Sequence, residues 1–310
     1  MLIVEEKKIP KLIEEIKKTF EFFEHKKTGL PFKKYFFPPV QQTLNANSKG
    51  KIIEANAPKQ FVLYGLGAKD LEALTQLDEI MKKPNEDFFY FQNRNRCVVI
   101  GVTHIELDSM PGGDIIFQKI NDNQYRVWVE MQSGHNFIKK FKKFFTETSE
   151  QPETKITKSD EHKWSTTMRE LLKDSELLSS VVEWSHSHPI WDELATTCLG
   201  CGVCTYVCPL CYCFSIEDKV DLDGKCSRCR KWDACTLPEF SEIAGGHTFR
   251  KSIKERYYNW FYHKFVRAYN EYGKSQCVGC GRCQRYCPAK IDIQEILGKI
   301  LEDYKKSNSN

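Results

Sequence analysis

Two stretches of the chain repeat one arrangement of thiols. Cys198-Leu-Gly-Cys201-Gly-Val-Cys204-Thr-Tyr-Val-Cys208-Pro209 is echoed by Cys277-Val-Gly-Cys280-Gly-Arg-Cys283-Gln-Arg-Tyr-Cys287-Pro288. Both read C-x2-C-x2-C-x3-C-P. In this pattern a tight loop aims three thiolates at three irons of one cubane, while the fourth cysteine reaches across to a second cluster. Gly202, Gly279 and Gly281 permit the left-handed backbone angles and close approach that turn N–H groups onto sulfur, and the proline ends the turn. On the crossing rule, Cys198, Cys201, Cys204 and Cys287 are expected to hold one [4Fe-4S] cluster, and Cys277, Cys280, Cys283 and Cys208 the other. Zinc sites use cysteines in twos and do not require a twelve-residue cassette repeated in full, so zinc is the weaker reading.

Cys211-Tyr-Cys213, Cys226-Ser-Arg-Cys229 and Cys235 add five thiols between the cassettes. C-x-C-x12-C-x2-C suits a tetrahedral zinc site or a third iron–sulfur cluster; free thiols in a reducing compartment are the alternative reading. Thirteen of the 14 cysteines lie between Cys198 and Cys287, with Cys97 alone outside. In a reducing compartment, clustering of this kind points to metal or redox work rather than to disulfides. Each cubane with its four thiolates carries a formal charge of about −2 when oxidised. Two of them offset the net charge of +4, so the basic balance does not itself signal nucleic acid.

Other motifs are weaker. No nucleophile elbow, His-Glu-x-x-His helix, phosphate loop or paired-carboxylate segment is present, so no catalytic centre of the chain's own is indicated. Gly65-Leu-Gly67 lacks the third glycine of a dinucleotide turn and reads as a plain strand-to-helix loop. Arg250, Lys251, Lys254, Arg256, His263, Lys264 and Arg267 alternate with Tyr257, Tyr258, Trp260 and Phe261, a composition that nucleic acid could use. A helix with its aromatics inward and a solvated or partner-facing basic side explains the run more simply, and Glu255 and Glu271 dilute it. His186, His188 and His247 are read as turn and helix-end residues rather than metal ligands.

The elements that must position the cassettes follow from periodicity. At 310 residues the chain accommodates about two domains. Its 41% hydrophobic and 28% charged composition is that of a globular protein rather than a disordered one. Residues 1–145 read as a mixed α/β lobe. Helices are expected over 11–26 and 70–81, an extended stretch around Tyr35-Phe36-Phe37, and strands at 61–64 and 97–100. A hairpin is expected about Asn121-Asp-Asn123. Residues 146–165 are polar and read as a linker. Residues 166–310 are expected to form an α-helical ferredoxin-like domain binding both clusters, with 167–184 and 240–272 as its main helices and the filling between the cassettes largely helical. The expected class is therefore α+β. No apolar run approaches the roughly 18 residues of a membrane span. The amino terminus turns acidic after three apolar residues, unlike a secretory signal, so a cytoplasmic location is expected.

Between the cassettes, Cys208-Pro-Leu-Cys211-Tyr-Cys213-Phe, Arg230-Lys-Trp-Asp-Ala-Cys235, Ala244-Gly-Gly-His247-Thr-Phe-Arg250 and Tyr262-His-Lys-Phe265 occur in order. In this the chain resembles the iron–sulfur electron-transfer subunit shared by two systems, cytosolic [NiFe] hydrogenases (where it is the sulfhydrogenase β subunit) and anaerobic sulfite reductase. The likeness is strongest over residues 167–300; earlier, Lys33-Lys-Tyr-Phe-Phe-Pro-Pro39 and Tyr64-Gly-Leu-Gly-Ala-Lys-Asp70 follow the family's order. The resemblance implies electron relay between a flavin- and NAD(P)-binding protein and a catalytic partner, a hydrogenase first and a sulfite reductase as the alternative, in anaerobic metabolism. A structural iron–sulfur module with a basic nucleic-acid-binding helix is the competing function. The family's N-lobe cysteines are replaced here by Gly67-Ala-Lys-Asp70 and Gly101-Val-Thr-His-Ile-Glu-Leu-Asp108, so no N-lobe thiol chemistry is expected.

Overall fold

The computed structural model describes residues 1–25, 29–53, 59–107, 109–149 and 166–308. The chain divides into two units, one of residues 1–37 and 55–161, the other of 38–54 and 162–310.

The first unit is built on a seven-stranded sheet. Its order is Glu21–Glu24, Phe61–Leu66, Cys97–Thr103, Ile115–Asn121, Gln124–Val129, Leu2–Glu5 and Phe145–Glu147. The first four strands run parallel and the rest pair antiparallel. Parallel strands need crossovers, and the helix Ala68–Ile80 supplies one, with Leu71, Leu74, Leu77 and Ile80 all buried at the expected spacing. The hairpin turns at Asp122-Asn123, where the Asn121 side chain accepts from the Asn123 N–H at 3.0 Å.

Three expectations for this unit shift. The helix anticipated over 11–26 runs from Ile9 to Thr19, because the backbone turns extended at Phe20 and Glu21–Glu24 pairs with Phe61–Tyr64 as an edge strand. The stretch around Tyr35 is a 3-10 turn, Phe32–Tyr35, which drives Phe36 and Phe37 into the core. Thr146 and Glu147, at the start of the anticipated linker, pair with Ile3 and Leu2 at the sheet edge, whereas 150–165 lie outside the described residues. Gly65-Leu-Gly67 leads directly into the helix at Ala68. The buried Asp70 of its first turn pairs with His25 at 3.3 Å, as suits a plain loop rather than a phosphate cradle.

The second unit packs its helices around Trp191, Tyr257, Trp260, Phe261, Phe265, Leu297 and Ile300. The anticipated 167–184 helix is two, Thr166–Lys173 and Ser175–Trp184, separated by Asp174, whose carboxylate caps the second by accepting from Leu177 N at 3.0 Å. Ile253–Phe261 opens with a capping box between Ser252 and Glu255. It continues through a π-helical stretch, Tyr262–Arg267, to Tyr272, and the left-handed Gly273 stops it. Ile293–Ser307 closes the chain.

The filling between the cassettes departs from the helical expectation. Phe214–Val220 and Cys226–Trp232 form a hairpin, and Val40–Ala46 adds a third antiparallel strand to it, so residues 38–54 belong with this unit rather than with the N-terminal lobe. Helix begins only at Ile253; Glu239–Ser241 is a 3-10 turn and Glu242–Thr248 a two-residue-strand hairpin. The physical cause is visible in the period-two alternation of Phe214, Ile216 and Val220, followed by the turn-forming Asp221-Leu-Asp-Gly224.

Candidate metal centres

The two cassettes fold alike. Cys198 ends the helix Ile190–Thr197, its N–H donating to Leu194 O at 2.8 Å. Gly200 and Gly202 then take left-handed φ values of 63° and 75°, and the four-residue helix Val203–Tyr206 follows. In the second cassette Gly279 and Gly281 take φ of 64° and 70° ahead of Arg282–Arg285. Each cassette closes the same way: Cys208 N donates to Thr205 O at 3.3 Å, and Cys287 N to Gln284 O at 3.2 Å. The left-handed glycines aim amides at sulfur. Gly200 N lies 3.4 Å from Cys198 Sγ, and Gly279 makes the matching backbone bond to Cys277. The short helices pack against each other, which sets the cassettes side by side.

Two cavities result. One is lined by Cys198, Cys201, Cys204 and Cys287, with Tyr257 and Trp260 behind them. The other is lined by Cys208, Cys277, Cys280 and Cys283, with Lys264 and Trp260. Cys283 and Trp260 face both. The fourth cysteine of each cassette thus stands with the first three of the other. Among the described residues no three acidic, His or Cys side chains converge on a single-ion position. A four-iron cube, by contrast, takes each thiolate at a different corner.

The electrostatics fit the same group. Burial pushes the Cys204 thiol up to about 12, with the thiolates of Cys198 and Cys201 adding to it. Cys277 is raised to about 11 by burial against the opposing pull of Lys264 and the Gly279 N–H. Burial also raises Cys283 well above the ordinary thiol value. So many buried thiols ionise together only when a strongly positive core neutralises them, as iron does on cluster assembly.

The five additional thiols are carried by two different elements of this unit. Cys226 and Cys229 lie on the hairpin strand, and the Cys226 thiol is turned to Gly224 O at 3.7 Å. Cys211, Cys213 and Cys235 instead pack on the helical core, where the Cys213 thiol, ahead of burial, holds the Cys235 pKa high. Of the expected third site of Cys211, Cys213, Cys226, Cys229 and Cys235, two members ride on a β-hairpin where helix is expected and three on the helical core.

The basic–aromatic helix packs Tyr257, Trp260, Phe261 and Phe265 into the core, as the simpler reading expects. Arg256 is buried, and its guanidinium donates to the carbonyls of Thr236, Arg250 and Lys251 at 3.0, 3.1 and 2.7 Å. Lys254 pairs with Asp192 at 2.7 Å. Neither offers the free cation that a nucleic-acid backbone needs. His188 meets Asp303 at 3.2 Å, while His186 and His247 set their rings edge-on to Tyr258 and Phe249, each at 5.0 Å. Lys264 is a site residue that the sequence alone does not single out. Its one signal is its place among Tyr257, Trp260, Phe261 and Phe265, all on one helical face.

Comparison with known proteins accords with this geometry. Residues 197–291 match the family described as "4Fe-4S dicluster domain". The chain is 27% identical over 290 residues to sulfhydrogenase 2 subunit beta of Pyrococcus furiosus, covering 90% of this chain and 85% of that one. No solved structure matches. Both comparisons point to the iron–sulfur subunit family that the motifs resemble. Among the described residues no helix is long and apolar enough to cross a membrane.

Proposed function

We propose that the chain is the electron-relay subunit of a multi-subunit oxidoreductase. In this reading Cys198, Cys201, Cys204 and Cys287 hold one [4Fe-4S] cluster, and Cys277, Cys280, Cys283 and Cys208 the other. The observation that carries it is the exchange of fourth cysteines between two adjacent cavities. When bound, each cluster supplies one-electron redox chemistry at a potential tuned by its surroundings. The protein's part is to hold the thiolates, exclude water and supply N–H donors: Gly200 and Gly279 donate to sulfur, while Tyr257, Trp260 and Ile293 wall the sites. Cys201 is exposed and its neighbour Leu199 is 66% exposed, so the first site lies at the surface, where a partner's electron carrier can approach.

A relative named as a sulfhydrogenase β subunit favours two partners, a [NiFe] hydrogenase catalytic chain and a flavin- and NAD(P)-binding chain, with sulfite reductase as the alternative assembly. Iron and acid-labile sulfide on anaerobically purified protein test the relay: about eight of each per chain is expected. Reductive titration should then give two interacting [4Fe-4S]+ signals by EPR, and centres that no low-potential donor reduces overturn the reading. Nickel or a sirohaem spectrum in the co-purified complex separates the two assemblies.

A further inference from the structure

Lys264 is a lysine in the protein interior, 4% exposed, on the π-helical stretch Tyr262–Arg267. A π-helical turn inside an α-helix shifts the side chains that follow it and is frequent at functional sites. Here Lys264 Nζ donates to Cys208 Sγ at 3.3 Å and to Gln276 O at 2.8 Å. Its own carbonyl accepts from Gln276 N at 2.9 Å. One residue therefore grips the crossing cysteine of the first cassette and the residue just ahead of the second.

The grip is one-sided. Lys264 lines the cavity of Cys208, Cys277, Cys280 and Cys283 and does not line the other. The first cavity is backed by Tyr257, and the buried Arg256, although its charge reaches Cys198, donates to three carbonyls rather than to a sulfur. A buried cation within hydrogen-bonding reach of a ligating sulfur stabilises the more negative, reduced state of a cluster. Screening is weak there, and donors to sulfur act in the same direction.

Building on the proposed ligand sets, we propose that Lys264 sets the potential of the second cluster. It makes that cluster the readier of the two to accept an electron and so gives the pair a direction. The step is one electron added to one cluster, with no bond made or broken. The Lys264 ammonium stays in place throughout.

The test uses the anaerobically purified, cluster-loaded full chain, titrated with dithionite and mediators and followed by EPR. Iron and sulfide are measured first, so that a failure of the two-cluster reading is recognised separately from a failure of this one. In K264Q and K264M one midpoint is expected to fall by at least about 59 mV, a tenfold loss in a one-electron reduction equilibrium, while the other holds. K264R, which keeps the charge, is expected to retain most of the native value. Midpoints that stay put, move together, or fall as far in K264R as in K264Q overturn the proposal. Should the neutral variants fail to load iron, the unaltered protein still decides. Its two midpoints must differ, and the higher must belong to the cluster whose EPR signal changes in Cys208→Ser. Equal midpoints, or the reverse order, overturn it.

Discussion

A Cβ placed on Gly202 would stand 2.8 Å from the Cβ of Ala234, closer than side-chain carbons approach. Gly202 also holds φ at 75°, the left-handed angle that starts the first cassette's short helix. Two independent reasons therefore exclude a side chain at the turn that aims Cys201 and Cys204. Gly202→Ala should cost about 1–3 kcal/mol from the backbone angle alone, with overpacking against Ala234 added to it. Gly273→Ala is the control, since Gly273 is equally left-handed but has no atom within 4 Å of its Cβ position. We expect Gly202→Ala to lower iron from about eight toward about four per chain while Gly273→Ala keeps its full complement. Equal iron in the two variants would show that the turn does not govern loading.

Cys287 and Cys208 are predicted to act across the cassettes. Cys287→Ala should weaken the cluster of Cys198, Cys201 and Cys204, although it lies in the second cassette and some eighty residues downstream. Cys208→Ala should weaken the other. The readout is EPR of the reduced protein. Each single variant should lose one member of the interacting pair and leave the uncoupled signal of its partner. Loss of the signal belonging to the variant's own cassette would mean that the fourth cysteines do not cross.

Much of this architecture follows from local pattern. Leu71, Leu74, Leu77 and Ile80 recur at helical spacing and all are buried, and Asn121-Asp-Asn123 makes the turn its residue types favour. The cassette glycines take the left-handed angles that their positions require. What stayed hidden is non-local. The Gln41 side chain accepts from Arg230 at 2.7 Å across 189 residues of sequence, and no periodicity near Val40 foretells that its strand joins Cys226–Trp232. Lys264 is obscured differently. In sequence it is one of seven basic residues in a basic–aromatic run; only the packing separates it from Lys254, which pairs with Asp192 at the surface.

The hairpin thiols give a third prediction. Cys226 and Cys229 are borne on a strand paired on both sides, to Phe214–Val220 and Val40–Ala46, and not on the helical core that receives Cys211, Cys213 and Cys235. A double replacement, Cys226→Ser with Cys229→Ser, should leave iron and sulfide per chain and the EPR spectrum unaltered. The hairpin should tolerate it within about 0.5 kcal/mol, as surface substitutions do. A drop of about four irons would instead assign these thiols to a cluster.

His263 supplies a pH dependence. Burial, together with the cations Arg267 and Lys264, lowers its pKa to about 4 from an ordinary 6.5, and its ring lies 5.9 Å from that of Tyr212. In the folded protein the imidazole is neutral at pH 7, and it stays neutral until the pH nears 4. The unfolded chain takes up the proton near 6.5. Between those values the unfolded state binds more protons, so stability present above about pH 6.5 falls as the pH is lowered through the window. The effect is on the order of 1–3 kcal/mol across it. His263→Gln removes the titration without adding a charge. Thermal midpoints of the two proteins, measured from about pH 7.5 down to about 5, should therefore converge, the native chain losing stability faster than the variant. Parallel decline would show that His263 is not the group being protonated, whereas a steeper decline in His263→Gln would reverse the sign and place a proton on the folded imidazole.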